Sequence, residues 1–368
     1  MTTTLQSRIA VAAVIAPLTF LAVACGDDSG SDDTAASDRT TASSSAPTSP
    51  ETEPTDEPTP PTETATFADP AGVEHLVDGV WLQADGDAVS LPESDYFAAV
   101  TWNGQLVATR VAGEVFAEAD VIAEDGTVVR TFDTTGAVAV NEAGTTIAWV
   151  DTDGKVQTAW DGDAVSLGSV DLSAPGETVA FTVAAVVGGP NCYEVEDGCQ
   201  VFLNSGLGEP TALDSHGIND NPYPFVIEFS DVSDGLVSYV DTIEDAGSCG
   251  GLIEVGQQQP RWETCDFEAA QISPDGRHVI GLPSYYDGLG LPQISVLDAE
   301  TGEASGQYAV EGGFIAQWAW SADGRVVFDA YDGAQWHLFS MAPDGEVSEI
   351  ADPAKGTEYD SPFTLVQY

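Results

Sequence analysis

The sequence predicts an all-β fold, a seven-bladed β-propeller, for residues 67–368. Three observations carry this prediction. The region shows no amphipathic helix, its glycine turns recur about every 43 residues, and the turns are flanked by segments rich in Val, Ile and aromatic residues, which are typical of strands. A repeat of about 40–50 residues that contains four short strands is the signature of a propeller blade.

Two sets of turns alternate along this region. Each glycine supplies the positive φ of a tight hairpin, and a preceding Asn or Asp favours the same turn types. The first set has Gly104, Gly144, Gly176, Gly235, Gly276 and Gly324, and the second set has Gly86, Gly126, Gly162, Gly206 or Gly208, the segment 256–260, Gly302 and Gly345. Six units contain both turns and are predicted to be six complete blades.

The remaining blade is predicted to be built from both ends of the domain. The first unit, 75–92, has only one hairpin, and the chain finishes in a lone strand-like segment, 361–368. If that segment pairs with the first hairpin, the ring closes and no sheet edge stays exposed to template aggregation.

The heptapeptide DGDAVSL occurs twice, at 85–91 and 161–167. Its Asp-Gly pair supplies a hairpin turn, and its alternating apolar residues supply a strand. Further acidic residues at the spacing of a calcium loop are missing. We therefore interpret both copies as the last turn and outer strand of a blade, left by duplication, and not as a ligand site.

Two stretches resemble the repeats of TolB-type propellers, which are relatives of the WD-repeat class. They are AAQISPDGRHVIGL with ISVLDAETGE, and WAWSADGRVVFDAYDGAQWHLFSMAPDGE, within 267–353. The resemblance implies a propeller in which the SPDG turn has a structural role.

Residues 1–24 are interpreted as a lipoprotein signal peptide. Arg8 precedes an uncharged run, 9–24, that is short for a membrane span but suits a signal peptide. The run ends in LAVACGDD, which resembles a bacterial lipobox and implies that Cys25 is lipidated. An ordinary secretory signal with a chance cysteine is the alternative. We expect a lipid-anchored protein on the extracytoplasmic face of the cell membrane.

Residues 25–66 are predicted to be the lipidated cysteine and a disordered tether. The segment 26–66 is rich in Ser, Thr, Pro and acids and contains no Val, Ile, Leu, Met, Phe, Tyr or Trp. With no apolar side chain to bury, it cannot offset the entropy lost on ordering.

The charge of the chain argues against a nucleic-acid partner. There are 61 acidic and 9 basic residues, a formal charge of −52, whereas affinity for phosphates comes mainly from Lys and Arg. Solubility is the favoured interpretation of this charge, and weak cation binding is the alternative.

Four further cysteines indicate disulfides in an exported chain. They allow three pairings, of which we favour the local one, Cys192–Cys199 and Cys249–Cys265. The second pair lies symmetrically about a hairpin turn at Gln257. The spacings do not resemble those of zinc sites, so no metal is predicted.

No catalytic motif is found, and no cofactor is predicted. The sequence lacks G-x-S-x-G and H-E-x-x-H, and its four histidines are far apart. Unusual sequence occurs instead in 188–199, 214–225, 242–251 and 283–292, which we assign to the face formed by middle hairpin loops and blade crossovers. The candidate binding residues there are Tyr193, His216, Asn219, Asp220, Tyr223, Tyr285 and Tyr286.

These residues are candidates because an exposed Tyr offers contact area and a polar group. The alternative is that the aromatic residues pack between blades. The predicted function is a monomeric, membrane-anchored binding or scaffold module for a protein or glycan partner. An extracytoplasmic hydrolase or lyase with a site in the central channel is the alternative function. Its available cations would be Arg110, Arg130, Arg261, Arg277, Arg325 and Lys155.

Overall fold

The computed structural model describes residues 73–367, except 114–115, 175–176, 179–180, 189–191, 193–197, 206–209, 215–216, 234, 246 and 287. The predicted signal peptide, Cys25 and the predicted tether lie outside the described residues. The described chain forms strands β1 to β30 and no α-helix. Within this part of the chain, no helix is long and apolar enough to cross a membrane.

Most of the described strands follow one another in four-stranded antiparallel sheets. The first strands of the described residues are β1 (His75–Val77), β2 (Val80–Leu82) and β3 (Ala88–Ser90). Sheet 1 contains β4 (Tyr96–Trp102), β5 (Gln105–Ala112), β6 (Phe116–Ile122) and β7 (Val128–Thr134). Sheet 2 contains β8 (Ala139–Val140), β9 (Ile147–Val150), β10 (Lys155–Ala159) and β11 (Ala164–Ser169).

A separate hairpin of β12 (Ser173–Ala174) and β13 (Glu177–Thr178) comes next. Sheet 3 contains β14 (Phe181–Val187), β15 (Gln200–Ser205), β16 (Thr211–Asp214) and β17 (Gly217–Asp220). Sheet 4 contains β18 (Glu228–Ser233), β19 (Leu236–Glu244), β20 (Gly247–Glu254) and β21 (Trp262–Thr264).

Sheet 5 contains β22 (Phe267–Ile272), β23 (His278–Pro283), β24 (Gln293–Asp298) and β25 (Ala304–Ala309). Sheet 6 contains β26 (Phe314–Trp320), β27 (Val326–Tyr331), β28 (Trp336–Met341) and β29 (Val347–Glu349). The last strand is β30 (Phe363–Gln367), which joins β1, β2 and β3 to sheet 1 in one eight-stranded sheet.

Apolar layers between neighbouring sheets form the core. Between sheets 5 and 6, for example, Ile280 and Val296 pack in one cluster with Val326 and Phe328. Because inner strands are covered on both faces, they carry continuous apolar runs instead of strict alternation. Strand β9, with the sequence IAWV, is buried at every position.

The two ends of the described chain meet, as the sequence predicts. Strand β30 pairs antiparallel with β1, with His75 opposite Leu365, and parallel with β4, with Val366 opposite Ala99. The hydroxyl of Thr364 donates a 2.7 Å hydrogen bond to the carbonyl of Tyr96. The predicted pairing of the chain ends is confirmed, and it covers an edge of each partner.

A buried polar network connects sheet 6 to the closing strand. The Gln317 amide donates to the carbonyl of Phe363 at 2.7 Å and to Asp329 at 3.1 Å. Asp329, which is fully buried, also accepts a 2.6 Å hydrogen bond from Ser361. Desolvation raises the pKa of Asp329 to about 6, although these donors oppose the shift. The side chains of Gln317 and Asp329 therefore supply hydrogen bonds at the bulge where the backbone pairing of β26 with β27 is interrupted.

One part of the predicted turn assignment is wrong. The sequence predicts Gly176 in the first turn of a blade; Gly176 itself lies outside the described residues, but the strands before and after it, β12 and β13, form their own two-stranded sheet. Strand β14 instead runs beside the first strand of sheet 2, because Thr135 bonds to the carbonyl of Phe181 and Asn141 to that of Gly188. The first loop of sheet 3 is therefore 188–199, and residues 206–209 connect its second and third strands.

Each sheet presents two ends, which define two faces of the described chain. In an antiparallel meander, turns between strands one and two and between three and four share one end, which we call the hairpin face. Turns between strands two and three share the other end with the connections between sheets. We call this second end the crossover face.

Candidate functional site

The side chains of four predicted binding residues lie outside the described part of the chain. Tyr193 and His216 lie outside the described residues. Asn219 and Asp220 belong to β17, the outer strand of sheet 3, where their backbones pair with β16. The described part of the chain gives no side-chain position for either residue.

Tyr223 is not part of an exposed surface, which corrects the prediction. Only 3% of it is exposed, and its ring packs edge-on against Phe225 and Phe229. Its hydroxyl accepts a 3.1 Å hydrogen bond from the backbone of Gly256. Tyr223 therefore serves the packing of sheets 3 and 4, because its polar group is satisfied inside the protein.

Tyr285 and Tyr286 lie in the loop between β23 and β24, on the crossover face. Tyr285 is 59% exposed. Tyr286 is partly buried against the apolar layer between sheets 5 and 6 and lines a pocket. Of the predicted residues, the structure thus brings these two together in a solvent-accessible region.

The four unusual loops do not all share one face. The described residues of the stretch 188–199 lie between the first two strands of sheet 3 and so on the hairpin face, contrary to prediction. The loops around 245 and 284–292 lie on the crossover face, as predicted. The stretch 214–225 spans both ends, since it contains β17. Strand pairing, which turn chemistry alone did not reveal, decides these positions.

Large exposed apolar side chains concentrate on the crossover face. Of eight such residues in the described chain, six lie at this end, and only Val129 and Val255 lie elsewhere. The six are Val111, Ile227, Ile243, Tyr285, Leu289 and Tyr359. Scattered apolar residues are normal on a surface, but their concentration at one end indicates a contact region.

A pocket of about 380 Å³ opens at this end between sheets 5 and 6. We call it the junction pocket. It is lined by Tyr286, Gly288, Leu289, Gly290, Pro292, Gly312, Gly313, Phe314, Tyr331, Gly333 and Glu358. Its volume lies within the range of small-molecule and side-chain sites, about 300–1,000 Å³.

The base of the junction pocket is held by backbone pairing. The amide of Leu291 donates to the carbonyl of Ile315 at 2.9 Å, and the reverse bond is 2.8 Å. Gly313 allows close approach, because a Cβ atom there would collide with the backbone of Tyr331. A Cβ atom at Gly290 would similarly meet the ring of Phe314. The loop of sheet 5 is thereby fastened to the first strand of sheet 6.

Two carboxylates, on the first strands of sheets 4 and 5, act on the Tyr286 hydroxyl of this pocket. Crowding by protein raises the pKa of Glu228 to about 7, although the side chain keeps contact with solvent, and the charge of Glu268 adds to the shift. Desolvation also raises the pKa of Glu268, against a 3.2 Å hydrogen bond from Ser248. The pKa of the Tyr286 hydroxyl is raised by burial and then by these two carboxylates.

A second, more open pocket of about 630 Å³ also lies on the crossover face. Its walls include Arg110, Glu118 and Asp133. Arg110 is already paired, with Glu118 at 2.5 Å and with Asp120 at 3.1 Å. Its guanidinium is therefore largely occupied by the protein's own carboxylates.

The cations considered for an enzyme contact separate partners. Arg261 pairs with Glu254 and Glu300 near the third turn of sheet 4, and Lys155 pairs with Asp153. Arg325 donates to Ser340 within sheet 6. Within the described ranges, no group of three or more His, Cys, Asp or Glu residues is arranged to hold a metal ion.

The predicted disulfide pairing is confirmed. Cys192 bonds to Cys199 across the first loop of sheet 3, with the Cα atoms 4.7 Å apart. Cys249 bonds to Cys265 across β20 and β21, with a Cα separation of 4.2 Å. The second bridge lies next to Ser248 and so supports the wall that carries Glu268.

Sequence reasoning missed the other walls of the junction pocket. Phe314 and Tyr331 look like ordinary strand residues, and Glu358 lies in a connection that has no repeat pattern. Leu289 is within the unusual loop 283–292, whose glycine-rich sequence was the available signal. The pocket itself depends on packing between sheets, which leaves no local pattern in the sequence.

No family model matches this chain, and no curated protein matches it. Solved structures do. The β-propeller domain of Cps50 (Swd1) from Myceliophteria thermophila is 12% identical with a TM-score of 0.48, over 73% of this chain and 89% of that one.

The WD40 repeats of RRP9 are 9% identical with a TM-score of 0.49, over 79% of this chain and 87% of theirs. An acylaminoacyl peptidase in complex with a chloromethyl ketone is 15% identical with a TM-score of 0.47, over 70% of this chain and 46% of that one.

Proposed function

We propose that this protein is a lipid-anchored extracytoplasmic binding protein whose seven-bladed propeller captures a protein or glycan partner on its crossover face. The observation that carries the binding role is the coincidence, at this end, of two pockets with six of the eight large exposed apolar residues of the described chain. Exposed apolar side chains that are concentrated on one face of a protein are typical of interaction sites.

Sheet topology supports the count of seven blades. Besides five separate four-stranded sheets, the described chain has one eight-stranded sheet. Its two halves, β3-β2-β1-β30 and β4-β5-β6-β7, meet only through the parallel pairing of β30 with β4. If each half of the eight-stranded sheet is counted as one blade, these two blades and the five four-stranded sheets make seven blades. Parallel contact between first strands of adjacent units fits neighbouring blades, since all first strands of a meander ring run in the same direction.

The anchor is supported by the sequence of the first 66 residues. The uncharged run that ends at Cys25 fits a lipidated start, and the polar segment behind it fits a spacer. A spacer of this kind lets a domain reach partners away from the bilayer. The enzyme remains the alternative proposal, and we prefer binding because the described cations contact separate partners.

Photocrosslinking in intact cells tests the binding role. A photoreactive phenylalanine analogue replaces Tyr285 or Tyr359 on the crossover face, and Val129 or Val255 serves as the matched exposed control. We expect a discrete crosslinked product from the first two positions and none from the controls. Products of equal yield at all four positions, or at none, contradict a dedicated binding face.

A further inference from the structure

The junction pocket combines aromatic rings with carboxylates. Tyr286, Phe314 and Tyr331 supply three rings, and Glu358 supplies a carboxylate at the exposed side. None of the described lining residues is Lys or Arg. Lys355 is an exposed cation on the same connection as Glu358, so the local charge is not purely negative.

The rings of the pocket are held by their packing. Phe314 meets Trp336 edge-on at a centroid distance of 5.6 Å, and Tyr331 lies 5.3 Å from Trp336. Phe314 and Tyr331 are themselves 5.7 Å apart. Trp336 is almost fully buried, and its indole N–H donates to the carbonyl of Thr357. The wall therefore needs little rearrangement to receive a ligand, which limits the entropy cost of binding.

Electrostatics select the sign of the ligand. Burial and then the charges of Glu268 and Glu228 raise the pKa of the Tyr286 hydroxyl, and Glu358 is one of the residues that line the pocket. The chain as a whole carries a formal charge of −52. An anionic group would be repelled at this site, whereas a cation is attracted both by carboxylates and by the negative faces of aromatic rings.

We propose that the junction pocket receives an arginine or lysine side chain from a basic segment of a partner protein. This inference rests on the proposed binding function and specifies the chemistry of the partner. Charge complementarity between an acidic surface and a basic partner accelerates encounter and excludes wrong partners. The guanidinium of arginine is favoured over ammonium, because it stacks on rings and is more weakly hydrated.

Fluorescence anisotropy with labelled pentapeptides tests the charge selectivity. The full-length protein, purified in detergent, is titrated against Gly-Gly-Arg-Gly-Gly and against the same peptide with Gln or Glu at the centre. We expect the arginine peptide to bind at least about tenfold more tightly than the glutamine peptide. Equal affinity for the arginine and glutamine peptides overturns the proposal.

A matched pair of charge reversals tests the location. Glu358→Lys and Glu346→Lys change the net charge equally, but Glu346 is exposed in the last turn of sheet 6, on the hairpin face. We expect Glu358→Lys to weaken binding of the arginine peptide by about tenfold and Glu346→Lys by less than about twofold. Equal losses would show long-range attraction without a site, and overturn the proposal.

Folding and partner identity are controlled separately. Denaturation midpoints of both variants are measured, and Glu358→Gln, which keeps the shape, replaces Glu358→Lys if that protein is unfolded. A weaker but still selective loss is then expected. If crosslinking on the crossover face captures an acidic protein or a glycan, the binding function stands and the inference about a basic segment fails.

Discussion

We expect His75 to make the stability of the domain depend on pH at the place where β1 pairs with β30. It lies in β1 between Leu82 and Leu365 and is only 2% exposed. Neither ring nitrogen makes a hydrogen bond of normal geometry, and its ring meets Phe363 edge-on. Burial lowers the pKa of His75 to about 4, opposed only by the backbone of Val73.

The magnitude follows from linkage between protonation and folding. The folded pKa of about 4 lies below the ordinary 6.5, so the unfolded chain binds more protons between these values. The free energy of unfolding is therefore highest above pH 6.5, where His75 is neutral in both states, and it decreases as the pH falls towards 4. At about 1.4 kcal/mol per pKa unit, the loss is about 3 kcal/mol.

The substitution His75→Leu removes this titration. At pH 7 we expect the variant to be more stable by about 1–2 kcal/mol, because two buried unsatisfied nitrogens disappear. Between pH 6.5 and 4 its advantage over the natural protein should grow by about 3 kcal/mol. Glu74, whose pKa is raised by burial, titrates in both proteins and so cancels in the difference.

Urea denaturation at several pH values between 8 and 4 measures the effect. His337→Gln is a control, because the pKa of His337 is shifted in the direction opposite to that of His75. Burial lowers the pKa of His337, but hydrogen bonds to Glu349 at 2.7 Å and Asp332 at 3.2 Å outweigh it and raise the pKa overall. The stability that protonated His337 adds is therefore complete below its unfolded pKa and lost as the pH rises. A constant difference between His75→Leu and the natural protein across this range would refute the reasoning.

Two further predictions concern closure and anchoring. Gln317→Leu should destabilise the domain by about 2–4 kcal/mol, because the carbonyl of Phe363 and the carboxylate of Asp329 each lose a buried hydrogen-bond donor. Urea denaturation measures this loss of stability. A change below about 0.5 kcal/mol contradicts the role of the network. Cys25→Ser should move the protein from the membrane fraction into the soluble extracytoplasmic fraction on immunoblots, and unchanged membrane association contradicts lipidation.

The repeat was predictable because turn chemistry is local. Asp78–Gly79 and Asn103–Gly104 adopt positive φ angles at both residues, which few other residue pairs tolerate. The strands that follow such turns are apolar because both of their faces are covered. Consequently the order of strands and the pairing of the chain ends follow from the spacing of short patterns.

In sheet 3, the prediction from turn residues was wrong. Residues 173–178 have the turn residues of a blade hairpin, yet β12 and β13 pair only with each other. The first loop of sheet 3 is instead closed by the bridge between Cys192 and Cys199. Only the alignment of β14 beside sheet 2 distinguishes these alternatives, and that alignment is a tertiary contact.

The candidate site shows the same limit. Tyr223 and Tyr285 are both tyrosines in unusual loops, but one is buried and the other is 59% exposed. Their burial depends on which neighbouring sheet covers each loop. Phe314 and Glu358, which are 44 residues apart in the chain, meet in one pocket through the packing of sheet 6 against its neighbours.

The all-β class of the fold, the pairing of the chain ends, the favoured disulfide pairs and the excess of negative charge were all predictable from the sequence. These properties depend on residue type, on spacing within a unit or on composition. Which loops share a face, which tyrosines reach solvent and where a pocket opens became clear only from the packing of the sheets. Those properties depend on contacts between sheets, where residues distant in the chain become neighbours and exclude water from one another.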